Sequence, residues 1–405
     1  MHYIDAFNLT LQNITPIHQT TLVDINNALD RVLATNIYAK RALPPYNNSA
    51  MDGYAFKYKD INSPLKIAAT IFAQDKQEPI LKDKECYKIM TGAKVPPDCD
   101  SVAPKEICEV KDNKIKILKP IKKGNAIRLK GEEVLKDSLL LEKGERLTAS
   151  KIALLASQGI NKVECYRDLK IAILSTGSEL KEINEEASED EIYNINGINI
   201  KSHLKEYGIE ASYLGLIPDS LEESSNFFKD IKDRYNIIFT TGGVSQGDAD
   251  FTKRALLNCG FREIFHGLKV KPGHPLLVGK LDETLVISLP GNPLAAIIHA
   301  ILFGVASILK MQGAKEIFFT TKEAKISTTL TLKPNRVNIV LGEFRDSYFT
   351  PYKNNKYGSG MILPLVKSNS IALFSEDIKS VEKGSTIKII ELRCKSTTDK
   401  FNYIM

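Results

Sequence analysis

"NIIFTTGGVSQGDADFTKRALLNCG", residues 236–260, runs an apolar stretch into a glycine pair and from there into a helical pattern. Ile237, Ile238 and Phe239 read as a buried strand, and Gly242 and Gly243 as the turn at its carboxyl end. The same grammar recurs on either side, in "KIAILSTGSEL" (170–180) and in "TLVISLPGNPLAAIIHAILFGVASIL" (284–309). Between the first two units, "NINGINIKSHLKEYG" (194–208) has near-helical apolar spacing with Gly208 as its C-cap. The strand-like "EASYLGLI" (210–217) and the helix "DSLEESSNFFKDIKDRY" (219–235) follow it. Strands alternating with helices of this length imply a doubly wound, mostly parallel sheet with helices on both faces. Ligands of such sheets bind at the carboxyl ends of the strands, where all three glycine turns fall.

Working outward, the N-terminal third changes character. "DINNALDRVLATNIY" (24–38) reads as an amphipathic helix leading into a strand, and "TASKIALLASQGI" (148–160) as a second helix. Between them come the loop "RALPPYNNSAMDGYAF" (41–56) and short strand-like pieces, among them "CEVKDNKIKIL" (108–118) with a hairpin turn at Asp112 and Asn113. Beyond 313, segments such as "KISTTLTLKPNRVNIVLGEF" (325–344) suit a small all-β unit whose lysines and tyrosines are read as surface residues. The expected architecture is a multi-domain α/β chain. It has a discontinuous helical domain (1–44 and 141–167), a β-rich inserted domain (45–140), the central α/β domain (168–312) and a C-terminal β-barrel-like domain (313–405).

Composition agrees with a globular protein of several cores: 405 residues, 43% hydrophobic and 26% charged, or about three domains at roughly 150 residues each. A net charge of +6 suits an anionic ligand but is too diffuse to argue for a nucleic-acid surface. The six cysteines are scattered, without a Cys-x-x-Cys pair, which indicates neither a zinc site nor a disulfide framework. The start "MHYIDAFNLTLQN" lacks the basic and apolar regions of a signal peptide, so a reducing cytoplasm is expected. The longest apolar stretch, "PLAAIIHAILFGVASIL" (293–309), stops short of a membrane span. It reads as a buried helix with His299 in its core.

"GGVSQG" is neither a dinucleotide fingerprint nor a Walker A loop. Its physical use is to let backbone N–H groups approach a phosphate or another oxyanion, and in "LPGNPLAA" Pro293 leaves the donors of a helix N-terminus exposed. Carboxylates crowd the same strand ends: Glu179, Asp219, Asp248 and Asp250. Asp219 also fits a capping box with Glu222, and Asp250 could cap the helix after it. Several carboxylates beside an oxyanion site repel the anion unless a cation intervenes, and hard oxygens of this kind suit Mg²⁺ bridged to substrate phosphates. Lys269 and Lys271 would add direct positive charge.

Seven motifs in order carry a resemblance: "ALDRVLATNIYAKRALPPYNNSAMDGYA", "KIMTGAKVPPDCDSVAP", "IRLKGEEV", "ILSTGSEL", "TTGGVSQGDADFTK", "LKVKPGHPLLVG" and "LPGNP". Together they resemble the molybdopterin molybdenumtransferases, the MoeA family that includes the E domain of gephyrin. The resemblance implies an elongated four-domain homodimer, its helical domain used in dimerisation, with the active site in a cleft between subunits. It also implies the reaction, in which adenylyl-molybdopterin and molybdate give molybdenum cofactor and AMP with Mg²⁺ assisting, and an adenylyltransferase as a possible partner. Carried over by position, the catalytic set is Asp52, Thr91, Glu179, Asp219 and Asp250, with Glu179, Asp219 and Asp250 as metal ligands. Substrate contacts fall on Arg128, Ser175, Thr176, Gly177, Gly242, Gly243 and Ser245, on Lys269, Lys271 and His274, and on Pro290, Gly291, Asn292 and Pro293. Asn47 stands where the family usually has aspartate, and His274 where lysine is common, which trades a permanent cation for a titratable one.

Two competing readings remain at this stage. Adenylyl transfer to molybdopterin would need only the 168–312 domain, and "NNSAMDGYA" together with the β tail argues against it. A gephyrin-like scaffold would not need the acid set, which is intact here.

Overall fold

The computed structural model describes residues 1–74, 80–217, 220–244 and 251–392. The chain forms two compact units, one of Met1–Ala34, Gly144–Ala149 and the residues from Lys162 on, the other of Thr35–Lys143 and Ser150–Asn161.

In the first unit a six-stranded sheet has the order Ser212–Leu216, Ile171–Ser175, Ile237–Thr241, Thr284–Leu289, Leu277–Leu281, Arg262–His266. The first four strands are parallel and the last two antiparallel. Period-two alternation explains why these strands read as continuous apolar runs, since both faces are buried. Ile171, Ile173, Ile237, Phe239, Leu285 and Ile287 enter one core with the Pro293–Met311 helix. Ala172, Leu174, Ile238 and Val286 enter a second core with Phe228 and Ile231 of the Leu221–Ile231 helix and Ala255 and Leu256 of the Phe251–Asn258 helix. Each large apolar side chain so buried contributes roughly 1.5–3 kcal/mol. The sheet is the doubly wound, mostly parallel one expected.

The Pro293–Met311 helix is 19 residues long, so by length and composition it could cross a membrane, contrary to the expectation that it stops short. Burial assigns it instead, because 94% of its apolar window lies inside the fold. It is π-helical over Ala300–Val305. The Tyr3–Gln12 helix packs on it through Tyr3 and Phe7, whose rings meet Phe303 edge-on.

Residues 24–38 do not form the helix expected of them. Asp24 accepts from the backbone of Asn26 and caps a single 3₁₀ turn, Ile25–Asn27, and Asp30 then turns left-handed at φ 65°. The N–H groups of Asp30, Leu33 and Ala34 donate to Leu147, Glu145 and Glu164 instead of to the preceding turn. Helical apolar spacing is present, but pairing with distant segments of the same chain satisfies the backbone first.

The C-terminal strands Lys322–Ile326, Val337–Arg345, Tyr348–Pro351, Ser370–Phe374 and Thr386–Glu391 close into a barrel, because Val337–Arg345 pairs with both Tyr348–Pro351 and Ser370–Phe374. Val270–Lys271, contributed from the α/β region of the chain, adds parallel to Val337–Asn338.

The second unit holds another six-stranded sheet, ordered Ser101–Pro104, Gly53–Phe56, Glu85–Ile89, Leu65–Ile71, Lys114–Ile117, Cys108–Lys111. Asp112 and Asn113, at φ 46° and 58°, make its hairpin turn as expected. The five cysteines among the described residues are all free.

Candidate active site

At the carboxyl ends of the Ile171–Ser175, Ile237–Thr241 and Thr284–Leu289 strands lies a cavity of about 1190 Å³. Thr176, Gly177 and Glu179 line it from the first strand end, Gly242, Gly243 and Val244 from the second, and Pro290, Gly291, Asn292 and Pro293 from the third. The glycine pair is sterically required. Gly242 and Gly243 sit at φ 83° and 63°. A Cβ on Gly242 would come within 2.6 Å of the Thr176 carbonyl, and one on Gly243 would collide with the Thr252 hydroxyl. Thr176 is tied to the neighbouring strand by its N–H, 2.9 Å from the Thr241 carbonyl.

A second wall is cationic. Lys271 and Arg336 both line the cavity, and among the described residues no carboxylate pairs with either. Burial holds the Lys271 ammonium below the usual lysine range, and the nearby charges of Lys333 and Arg336 lower it further. Such a cluster favours an anion that neutralises it. His274 lines the same wall, its Nδ1 lying 2.6 Å from the Leu268 carbonyl. That contact makes Nδ1 the donor and leaves Nε2 as the ring's other polar atom.

Several expected residues stand elsewhere. Ser175 is fully buried behind the wall, its Oγ accepting from Thr241 at 3.2 Å. Lys269 does not line the cavity, and its Nζ lies 3.3 Å from Nε2 of His2. Ser245, Asp219, Asp248 and Asp250 lie outside the described residues. The cap of the Leu221–Ile231 helix is one residue later than expected: Ser220 accepts from the backbone of Glu223, and the Glu223 carboxylate accepts from the Ser220 hydroxyl. The helix N-terminus of "LPGNP" is also less open than its sequence suggests, because Leu294 N–H donates to the Ser359 carbonyl at 3.1 Å and the Asn292 amide to its hydroxyl at 2.9 Å.

Asp52, Thr91 and Arg128 belong to the second unit. There Oδ1 of Asp52 accepts from both the N–H and the hydroxyl of Thr91, at 2.9 and 2.8 Å, and Lys105 Nζ stands 3.5 Å from Oδ2. The Thr91 N–H holds the Asp52 carboxyl below the usual range, the Thr91 hydroxyl adds to this, and Lys105 contributes less. Arg128 is exposed on the Ile127–Arg128 strand, paired with Asn48.

Sequence reasoning missed the barrel's share of the cavity: Arg336, Tyr357 and Ser359 all line it. The signal available was the Gly-Ser-Gly at 358–360, a small-residue turn in a segment read only as surface. As for a cation, no group of three or more His, Cys, Asp or Glu among the described residues is placed to hold one. Glu179 is the one member of the expected metal set among the described residues, and it faces the cavity beside the glycine turns. That fits Mg²⁺, which commonly takes one or two carboxylates and completes its shell with water and phosphate.

Comparison with known proteins matches both halves of this architecture. Residues 1–159 match the family described as "MoeA N-terminal region (domain I and II)", and residues 172–309 that described as "Probable molybdopterin binding domain". Fold and site thus define a molybdenum-cofactor biosynthesis protein. The molybdopterin molybdenumtransferase of Haemophilus influenzae is 32% identical over 381 residues, covering 92% of this chain and 93% of that one. That of Staphylococcus aureus (strain MSSA476) is 27% identical over 379 residues, covering 91% and 90%. The crystal structure of the molybdopterin biosynthesis MoeA protein from Pyrococcus horikoshii OT3 superposes with a TM-score of 0.84 at 26% identity, over 96% of this chain and 99% of that one. The chain belongs to the molybdopterin molybdenumtransferase (MoeA) family.

Proposed function

We propose that this chain inserts molybdenum into adenylylated molybdopterin, yielding molybdenum cofactor and AMP. The observation that carries the reading is the cavity's pairing of a glycine-opened backbone, at Gly242 and Gly243, with the cations Lys271 and Arg336, neither of which has a carboxylate partner among the described residues. Backbone donors and the Thr176 hydroxyl cradle the phosphoanhydride, while Lys271 and Arg336 take the molybdate oxyanion, and His274 adds a donor at Nε2 only in its doubly protonated form. Glu179, with Asp219 and Asp250, is the proposed Mg²⁺ set. The ion, when bound, supplies Lewis-acid polarisation of the phosphoanhydride. A molybdate oxygen forms the new bond to phosphorus as the P–O bond between pterin phosphate and adenylate breaks, so AMP departs, and the two pterin dithiolene sulfurs bind the molybdenum while their protons leave with a second molybdate oxygen as water.

The assembly proposed is a homodimer in which each site is completed by Asp52 from the second copy. Thr91 keeps that carboxylate charged and oriented. Arg128 is proposed as a further phosphate contact, an adenylyltransferase as the donor of substrate, and a reducing cytoplasm as the compartment.

The test is release of AMP from adenylylated molybdopterin by the purified protein, with molybdate and Mg²⁺ each present or omitted. Release that requires both supports the reading. Consumption of ATP without added adenylylated pterin would replace it with adenylyl transfer.

A further inference from the structure

The carbonyl of Val244, the residue leaving the glycine pair, lies 3.0 Å from Nε2 of His266 at the end of the Arg262–His266 strand. Nδ1 of the same ring lies 2.9 Å from Nζ of Lys253, on the Phe251–Asn258 helix. Lys253 in turn stands 2.9 Å from the Glu263 carboxylate. An ammonium only donates, so Nδ1 is the acceptor and the neutral ring carries its proton on Nε2. That N–H donates to Val244. The tautomer is therefore set by the partners: Lys253 donates to both Glu263 and His266, and His266 donates in turn to Val244.

Val244 is 2% exposed and lines the cavity with Gly242 and Gly243, whereas His266 does not line it. Among the described residues nothing else reaches the Val244 carbonyl. Gly242 and Gly243 have no side chains to fix their own orientation, so the peptide after them needs an external tie. We propose that His266 is a positioning residue for substrate binding, holding the exit of the glycine pair against the cavity through the Val244 carbonyl, with Lys253 fixing the ring.

The inference rests on the proposed reaction, and two variants separate its parts. In His266→Gln the side-chain amide nitrogen reaches about as far as Nε2 and keeps the donor to Val244. In His266→Asn the amide oxygen takes the place of Nδ1, keeps the acceptor for Lys253 and loses Val244. His266→Asn should raise KM for adenylylated molybdopterin about tenfold, with kcat changed by less than about threefold, as expected when a buried carbonyl loses a hydrogen-bond donor. It should also speed amide hydrogen exchange at Gly242, Gly243 and Val244. His266→Gln should stay within about twofold of the parent in KM and match its exchange. Parent-like KM and exchange in the Asn variant would overturn the inference. So would equal impairment of the two variants, which would make the ring a packing element. Should no form release AMP while the exchange difference persists, the reaction reading fails and the loop assignment stands.

Discussion

Gly243 has no room for a methyl group, since its φ is 63° and a Cβ would strike Thr252. Gly243→Ala therefore has to distort the loop at a local cost of about 1–3 kcal/mol. AMP release should fall at least about tenfold while the circular dichroism spectrum stays that of the parent, and an Ala variant with parental turnover would remove this turn from the substrate cradle. The glycine pair was legible because its chemistry is local, a strand followed by residues that tolerate positive φ. Asp52 was legible only through the family resemblance, because Asp before Gly reads as an ordinary turn. Its distinguishing contacts come from Thr91, 39 residues away in the chain. Arg336 escaped for the same reason, since nothing local in its segment marks a ligand site, and Ser359 had only the small-residue turn at 358–360 to point to it. His266 drew no reading from the sequence, and only the two partners of its ring give it a role.

Among the elements, the Pro293–Met311 helix carries a titratable group at its centre. His299 is fully buried, and burial pushes its pKa down from 6.5 to about 4, partly opposed by the backbone at Pro272 and Gly273. Because the folded value is depressed, the unfolded chain binds a proton first as pH falls below 6.5. The stabilisation tied to the neutral ring is complete above that value and is lost on acidification toward about 4, at up to about 1.4 kcal/mol per pH unit. Urea midpoints of the parent should therefore drop between pH 7 and pH 5 by more than those of His299→Leu. Equal drops would mean that other groups govern the acid response. The strands facing this helix were readable because both their faces are buried. Residues 24–38 were not, because their N–H groups find partners more than a hundred residues along the chain, and no periodicity within a short window reports such pairing.

For the whole molecule, the proposed shared site has a direct test. Variants Asp52→Ala and Glu179→Ala should each lose AMP release by on the order of 10–100-fold, as supporting metal-site residues do. Mixed and allowed to exchange subunits, they should regain about a quarter of parental activity, because half the dimers become mixed and each mixed dimer has one intact site. No recovery, with mixed dimers confirmed by mass, would place Asp52 and Glu179 in the site of a single chain.

The closed barrel is joined to the α/β region by the short Val270–Lys271 pairing, and Val337, Ile339, Leu341 and Ile371 of the barrel share one core with Phe239, Ile287 and Leu294. Cutting the chain at 312 would therefore strip the cavity of Arg336 and also lay bare a greasy flank and a hydrogen-bonding edge ready to recruit other chains. The catalytic half is not a detachable module, and any minimal version of this protein has to carry its tail.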